Sequence, residues 1–211
     1  MDVVFDAMGT LFDPAPLRER LGAPVFEAWF ERTIHSAATL TILGEFVPFA
    51  QLARSTLATT TAVLGLDVDV DAEATVGELR RLPPAPDARR ALERVLEQGG
   101  RSFVLTNGGR EAGEELAERA GFGELVERVF GVDEVRAYKP DPRPYRLVLD
   151  ALDGPAVLVA THAWDVSGAV RAGMRGVWVD RTEQSWPLPD GLVPCATAPG
   201  LVEAVELATR P

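Results

Sequence analysis

The chain has 211 residues, 46% of them hydrophobic and 25% charged, which is the make-up of a globular protein able to bury a sizeable core. Its formal net charge of -11 argues against nucleic acid and anionic membranes as partners, because both are held through clustered Lys and Arg, and here the pairs Arg80-Arg81 and Arg89-Arg90 are interrupted by acids. No apolar run approaches the roughly 18 residues of a membrane span and no signal peptide opens the chain, so a cytoplasmic location is expected; the single cysteine, Cys195, leaves no disulfide framework or cysteine-rich metal site and is expected to be buried.

The first element is a short apolar run, Val3-Val4-Phe5, that ends in Asp6 and runs on through Gly9 and Thr10. A run this brief reads as a buried strand, and a glycine just beyond it lets backbone approach a ligand. Asp6 therefore has two readings, as a turn cap or as a carboxylate at the carboxyl end of a sheet strand, where open α/β sheets bind ligands.

Residues 14–83 read as helical. Phe26, Trp29, Phe30, Thr33, Ile34 and Ala37 recur at spacings of three and four, giving an amphipathic helix that Gly44 ends. A second helix spans 48–64, and a third, capped by Asp69 or Asp71, runs to about residue 82. Three prolines at Pro83, Pro84 and Pro86 then stop the pattern. From residue 87 helices and strands alternate: helix 87–97, strand 102–105, helix 111–120, strand 128–131, helix 142–152, strand 156–160, helix 166–172, strand 176–179 and helix 199–208, with 182–198 as a surface loop. That order implies an α/β fold, a doubly wound parallel sheet formed by residues 1–13 and 84–211, with 14–83 inserted as an all-helical module.

Four strand ends carry polar residues: Asp6 with Thr10; Thr106-Asn107-Gly108-Gly109; Tyr138-Lys139-Pro140-Asp141; and Thr161-His162-Ala163-Trp164-Asp165. A carboxylate nucleophile, a hydroxyl, a lysine and a further carboxylate on one sheet edge make a candidate active site. The set resembles the haloacid dehalogenase superfamily, and within it the metal-free L-2-haloacid dehalogenase branch. The resemblance rests on Asp6 through Asp13, Thr106-Asn107-Gly108, Lys139-Pro140 with Tyr145, and Ala163-Trp164-Asp165 with Gly168-Ala169. It implies a Rossmann-like core and makes the helical insert a cap domain.

The resemblance also has departures that bear on chemistry. In the superfamily's phosphatases an Asp stands where this chain has Met8 and protonates the leaving alcohol, and another stands at Thr161 and helps to hold Mg²⁺. Halide leaves without a proton, so Met8 suits dehalogenation. In the dehalogenases a cap Arg follows the Trp, whereas Trp29 is followed by Phe30; Arg32 is the candidate replacement, although residues two apart on a helix point about 200° apart. Their fourth motif has Ser and Asn where Ala160 and His162 stand here.

The expectation is a hydrolase that forms an aspartyl ester on a small anionic 2-haloacid, with no cofactor and no metal. Asp6 is the nucleophile and Lys139 keeps it ionised. Asp165 orients Lys139 or activates water, with His162 as an alternative base. The oxyanion is met by backbone N–H groups near Met8 and Gly9. Met8, Thr10, Thr106, Asn107, Phe30, Arg32, Tyr145 and His162 are the candidate substrate-side residues, of which Thr10, Thr106 and Asn107 bind the carboxylate or support Asp6. The alternatives are a phosphatase with a reduced Mg²⁺ site and a catalytically silent binding protein; a homodimer fits each of them.

Overall fold

Strand β1 (Asp2–Asp6) is buried along its whole length in the computed structural model, which describes residues 1–65, 71–181 and 183–209. Asp69, one of the two candidate caps, and Thr182, at the head of the expected loop, lie outside the described residues. The other strands are β2 (Arg101–Thr106), β3 (Arg128–Gly131), β4 (Ala156–Ala160), β5 (Arg175–Val179) and β6 (Ala196–Ala198). They form one parallel sheet in the order β3-β2-β1-β4-β5-β6.

Successive side chains of a strand point to opposite faces, and this sheet uses both. On one face Val3, Phe5, Val104, Val157, Val159 and Val177 pack with α5 (Ala88–Glu97), α6 (Arg110–Arg119) and α9 (Leu201–Ala208). On the other, Val4, Phe103, Leu105, Leu158 and Trp178 pack with α7 (Pro142–Ala151) and α8 (Ala163–Ala172). The unbroken apolar run at Val3 to Phe5 follows from this double burial.

Between β1 and α5 come α1 (Ala15–Leu21), α2 (Ala23–Ile42), α3 (Phe49–Val63), α4 (Ala72–Glu78) and a 3-10 turn (Leu79–Arg81). Gly22, at φ 81°, separates α1 from α2, so the first helical stretch is two helices. Asp71 caps α4 by accepting from the Ala74 N–H. Phe26, Trp29, Thr33 and Ala37 form the buried stripe of α2, and the Trp29 indole N–H donates to the Ala53 carbonyl on α3.

Three local expectations need correction. The segment read as loop 182–198 contains β6, which pairs in parallel with β5; three residues at a sheet edge, among prolines and glycines, leave no period to detect. Cys195, just before β6, is exposed, because pairing ties down its backbone while its side chain points outward. Helix α8 starts at Ala163, with His162 as its N-cap, so Asp165 lies inside the first turn and is not the cap.

The strand order reverses at β1, flanked by β2 and β4, and the connections leaving β1 and β4 open a crevice at their carboxyl ends. Asp6 closes β1 at that point. No helix among the described residues is long and apolar enough to cross a membrane.

Candidate active site

The turn after β1 is built on one carbonyl: Ala7 O accepts from the N–H groups of Thr10, Leu11 and Phe12, and Gly9 N donates to Phe12 O at 2.8 Å. Gly9 has φ 84°, and a Cβ there would lie 3.0 Å from Cε1 of His162, so the position requires glycine on both counts. The Gly9 N–H is thus committed within the turn and is not free for an oxyanion, as the sequence had suggested. The Met8 N–H donates to no acceptor among the described residues. Arg181, from the connection after β5, donates to Thr10 O at 3.1 Å and pairs with Asp87, bracing the turn from outside.

Asp6 is almost wholly buried. Its Oδ1 accepts from Lys139 Nζ at 2.8 Å and its Oδ2 from the Thr10 hydroxyl at 2.9 Å, while His162 Nδ1 lies 3.5 Å from Oδ2. Lys139 is fully buried and uses all three of its ammonium hydrogens. Besides Asp6 it donates to Asp165 Oδ2 at 2.7 Å and to Leu105 O at 3.0 Å, and the β1–β2 register sets Leu105 level with Asp6. Asp165 is also fully buried, and Tyr145 completes it by donating to Oδ1 at 2.6 Å. Tyr145 comes this close because Gly168 has no side chain; a Cβ there would lie 2.5 Å from the phenol oxygen.

Two carboxylates therefore share one ammonium away from water, which separates their acidities. Burial is the largest single influence and opposes ionisation of Asp6, but the Lys139 charge and the His162 and Lys139 hydrogen bonds together outweigh it and hold the carboxyl well below the usual carboxylate range. At Asp165 burial prevails over Lys139, the negative charge of Asp6 adds to it, and the pKa is raised. Burial disfavours the Lys139 charge, yet Asp165 and Asp6 together raise its pKa. Burial also pushes the Tyr145 phenol up, so it remains a donor.

Asp6 opens onto a cavity of about 300 Å³. Of the candidate substrate-side residues, Met8, Phe30, Thr106, Asn107 and His162 line it together with Asp6. Beyond a wall formed by Met8, Phe30, His162 and Trp164 lies a larger groove of about 1120 Å³. Thr10, Lys139, Asp165 and Tyr145 line neither space and stand behind Asp6; Tyr145 is thus a support for Asp165, not a wall for substrate. Arg32 also lines neither. Phe30 occupies the cavity-facing side of α2, so Arg32, two residues on, points to α3 and donates to the Thr60 hydroxyl at 3.2 Å. Thr106 accepts from the Gly108 N–H at 2.9 Å. Asn107 accepts from the Lys139 N–H at 2.9 Å, and its buried Nδ2 has no partner among the described residues, which leaves a donor at the cavity wall.

A family model described as haloacid dehalogenase-like hydrolase matches residues 3–173. The chain belongs to the haloacid dehalogenase-like hydrolases. It is 29% identical over 221 residues to an (S)-2-haloacid dehalogenase of Pseudomonas sp. (strain YL), covering 98% of this chain and 94% of that protein. The solved L-2-haloacid dehalogenase RSc1362 superposes with a TM-score of 0.92 at 27% identity, covering 99% of this chain and 98% of the other. The L-2-haloacid dehalogenase of Xanthobacter autotrophicus, solved with chloropropionic acid covalently bound, superposes at 0.85 with 25% identity, covering 98% and 97%.

Among the described residues no group of three His, Cys, Asp or Glu is arranged to hold a metal ion, and both oxygens of Asp165 are already bonded to Lys139 and Tyr145. Reasoning from sequence missed Trp164, Ile34 and Phe49 as cavity residues. Phe49 opens α3 directly after Pro48, where a chain entering a helix faces the crevice; Trp164 was visible only as part of the fourth motif.

Proposed function

We propose that this hydrolase displaces halide from C2 of a small 2-haloacid through an ester on Asp6. A carboxylate oxygen of Asp6 bonds to C2 as the carbon–halogen bond breaks and its electron pair leaves with the halide. Water then adds to Cγ of Asp6, the Cγ–O ester bond breaks, and a 2-hydroxyacid departs. One observation carries the reading: a buried carboxylate held ionised by Lys139 faces a cavity in which Met8 stands where a phosphatase keeps its proton donor. Halide requires no proton. The similarity to (S)-2-haloacid dehalogenases supports the same substrate class and the S configuration here.

Lys139 keeps Asp6 charged and aimed, Thr10 fixes its other oxygen, and Asp165 with Tyr145 holds Lys139 in place. The substrate carboxylate is met by Asn107 Nδ2, the Thr106 hydroxyl and the Met8 N–H, since the one Lys or Arg among the described cavity residues, Arg80, is paired with Glu115 and the N-terminal end of α6 is taken by Asp133. Residues 14–83 act as a cap: Phe30 and Ile34 from α2 and Phe49 from α3 close the cavity over Asp6.

The test is halide release from chloroacetate and 2-chloropropionate, with and without a chelator, alongside an aryl phosphate with Mg²⁺. The expected result is chelator-insensitive halide release that is lost in Asp6→Asn. Phosphate release that depends on Mg²⁺ and on Asp6, with no halide from either acid, would overturn the reading.

A further inference from the structure

Hydrolysis of the ester needs a group that takes a proton from water beside Cγ of Asp6, and the buried groups around Asp6 are already committed. Lys139 has no lone pair and donates all three hydrogens, to Asp6, Asp165 and Leu105. Asp165 is wholly buried, receives Lys139 on one oxygen and Tyr145 on the other, and lines neither the cavity nor the groove. The Thr10 hydroxyl donates to Asp6 and accepts from the Thr161 N–H.

His162 differs on each point. Its Nδ1 lies 3.5 Å from Asp6 Oδ2 and 3.5 Å from the Thr161 hydroxyl, both long enough to leave the nitrogen without a close partner. Its ring is held by Phe30 and Trp164, with centroids 5.4 and 5.3 Å away, so its orientation is set by aromatic packing from α2 and α8. It belongs to the wall shared by the cavity, which Asp6 lines, and the larger groove, so the ring stands between Asp6 and the groove.

We propose that His162 is the general base of the hydrolytic half-reaction, a role that rests on the ester mechanism above. The imidazole takes a proton from water as the water oxygen bonds to Cγ of Asp6. The tetrahedral intermediate then breaks its bond to the substrate oxygen, and the imidazolium protonates that oxygen as the 2-hydroxyacid leaves. Asp6 is left as the acid and releases its proton to solvent, the proton that accompanies the halide. His162 exchanges no proton in the displacement, where Lys139 remains to keep Asp6 charged, so the two half-reactions separate on this residue.

The experiment is rapid mixing of (S)-2-chloropropionate with wild type, His162→Ala and His162→Gln, following halide release and the intact mass of the protein. Both variants are expected to release about one equivalent of chloride in a burst near the wild-type rate. Turnover then slows by about 100-fold or more, and an ester adduct accumulates on Asp6. Added imidazole speeds loss of the adduct in His162→Ala. If His162→Ala does not fold, His162→Gln carries the test. Steady turnover at the wild-type rate with no adduct, or equal loss of burst and turnover, overturns the assignment. A wild type that releases no halide instead overturns the ester mechanism on which it rests.

Discussion

Lys139 is the charge on which the site depends. It is the ammonium shared by two buried carboxylates, and removing one member of a buried ion pair leaves the others uncompensated. Lys139→Met is expected to destabilise the protein by about 3–5 kcal/mol, read by urea unfolding at neutral pH. The pH dependence follows from the signs of the shifts. Asp6 has a lowered pKa, so its contribution to stability is present above the ordinary aspartate value and lost as pH falls through its depressed one. Lys139 has a raised pKa, so its contribution is present below the ordinary lysine value and lost as pH rises through its elevated one. Asp165, raised by burial, is the carboxylate that protonates first as pH falls. The acid limb of kcat/KM for halide release therefore reports Asp165. Tyr145→Phe removes a hydrogen bond that favours its charged form and is expected to shift that limb to higher pH. An unmoved limb would dissociate Asp165 from the step. Asp6 and Lys139 were legible in the sequence only together: a strand-end Asp is equally a turn cap and a Lys before a Pro turn is usually a surface residue, but four polar strand ends in one order single them out. Arg32, offered as a replacement for the cap arginine although residues two apart on a helix point about 200° apart, lies on the side of α2 turned to α3, where it donates to Thr60.

Two elements hold the site by the absence of a side chain. The β1 turn needs Gly9 at φ 84°, close against His162, and α8 needs Gly168 beneath Tyr145. Gly168→Ala drives a methyl into the phenol and is expected to displace Tyr145 from Asp165. It should reproduce the pH shift of Tyr145→Phe and add an overpacking cost of about 1–3 kcal/mol. A wild-type pH profile in Gly168→Ala would show that the phenol contact is dispensable. Helices α5 to α8 could be read because each is followed within three residues by a glycine, at Gly99, Gly121, Gly154 and Gly173, and strands β1 to β5 because they are short apolar runs between those helices. The break at Gly22 and the strand β6 could not, the first because α1 has seven residues and buries only Leu17, too little to show a stripe of its own, the second because its pairing with β5 is a tertiary fact. The start of α8 was missed by three residues for a related reason: burial of Ala163 and Asp165 against the sheet extends the helix beyond what local propensity indicates.

Across the molecule, the doubly wound sheet supplies charges at the reversal of strand order, and the helices inserted after β1 supply apolar cover. Tyr138 joins the two directly: its hydroxyl donates to Val47 O at 2.7 Å and its N–H to the Thr41 hydroxyl at 3.0 Å, one residue before Lys139. The cover is aliphatic and aromatic over most of the cavity, through Phe30, Ile34, Phe46, Phe49 and Leu79. A 2-haloacid with a longer alkyl chain at C2 should therefore be accepted, and kcat/KM is expected to hold or rise from 2-chloropropionate to 2-chlorobutanoate. A steep fall would mean that the cavity is not open to the alkyl group. The order of events on Asp6 has its most direct test in oxygen-18 water. In a single turnover with enzyme in excess, the 2-hydroxyacid should carry the unlabelled oxygen of Asp6, and the peptide containing Asp6 should gain the label. Label in the first-turnover product with none on Asp6 would mean that water attacks C2 directly, and would contradict the ester mechanism.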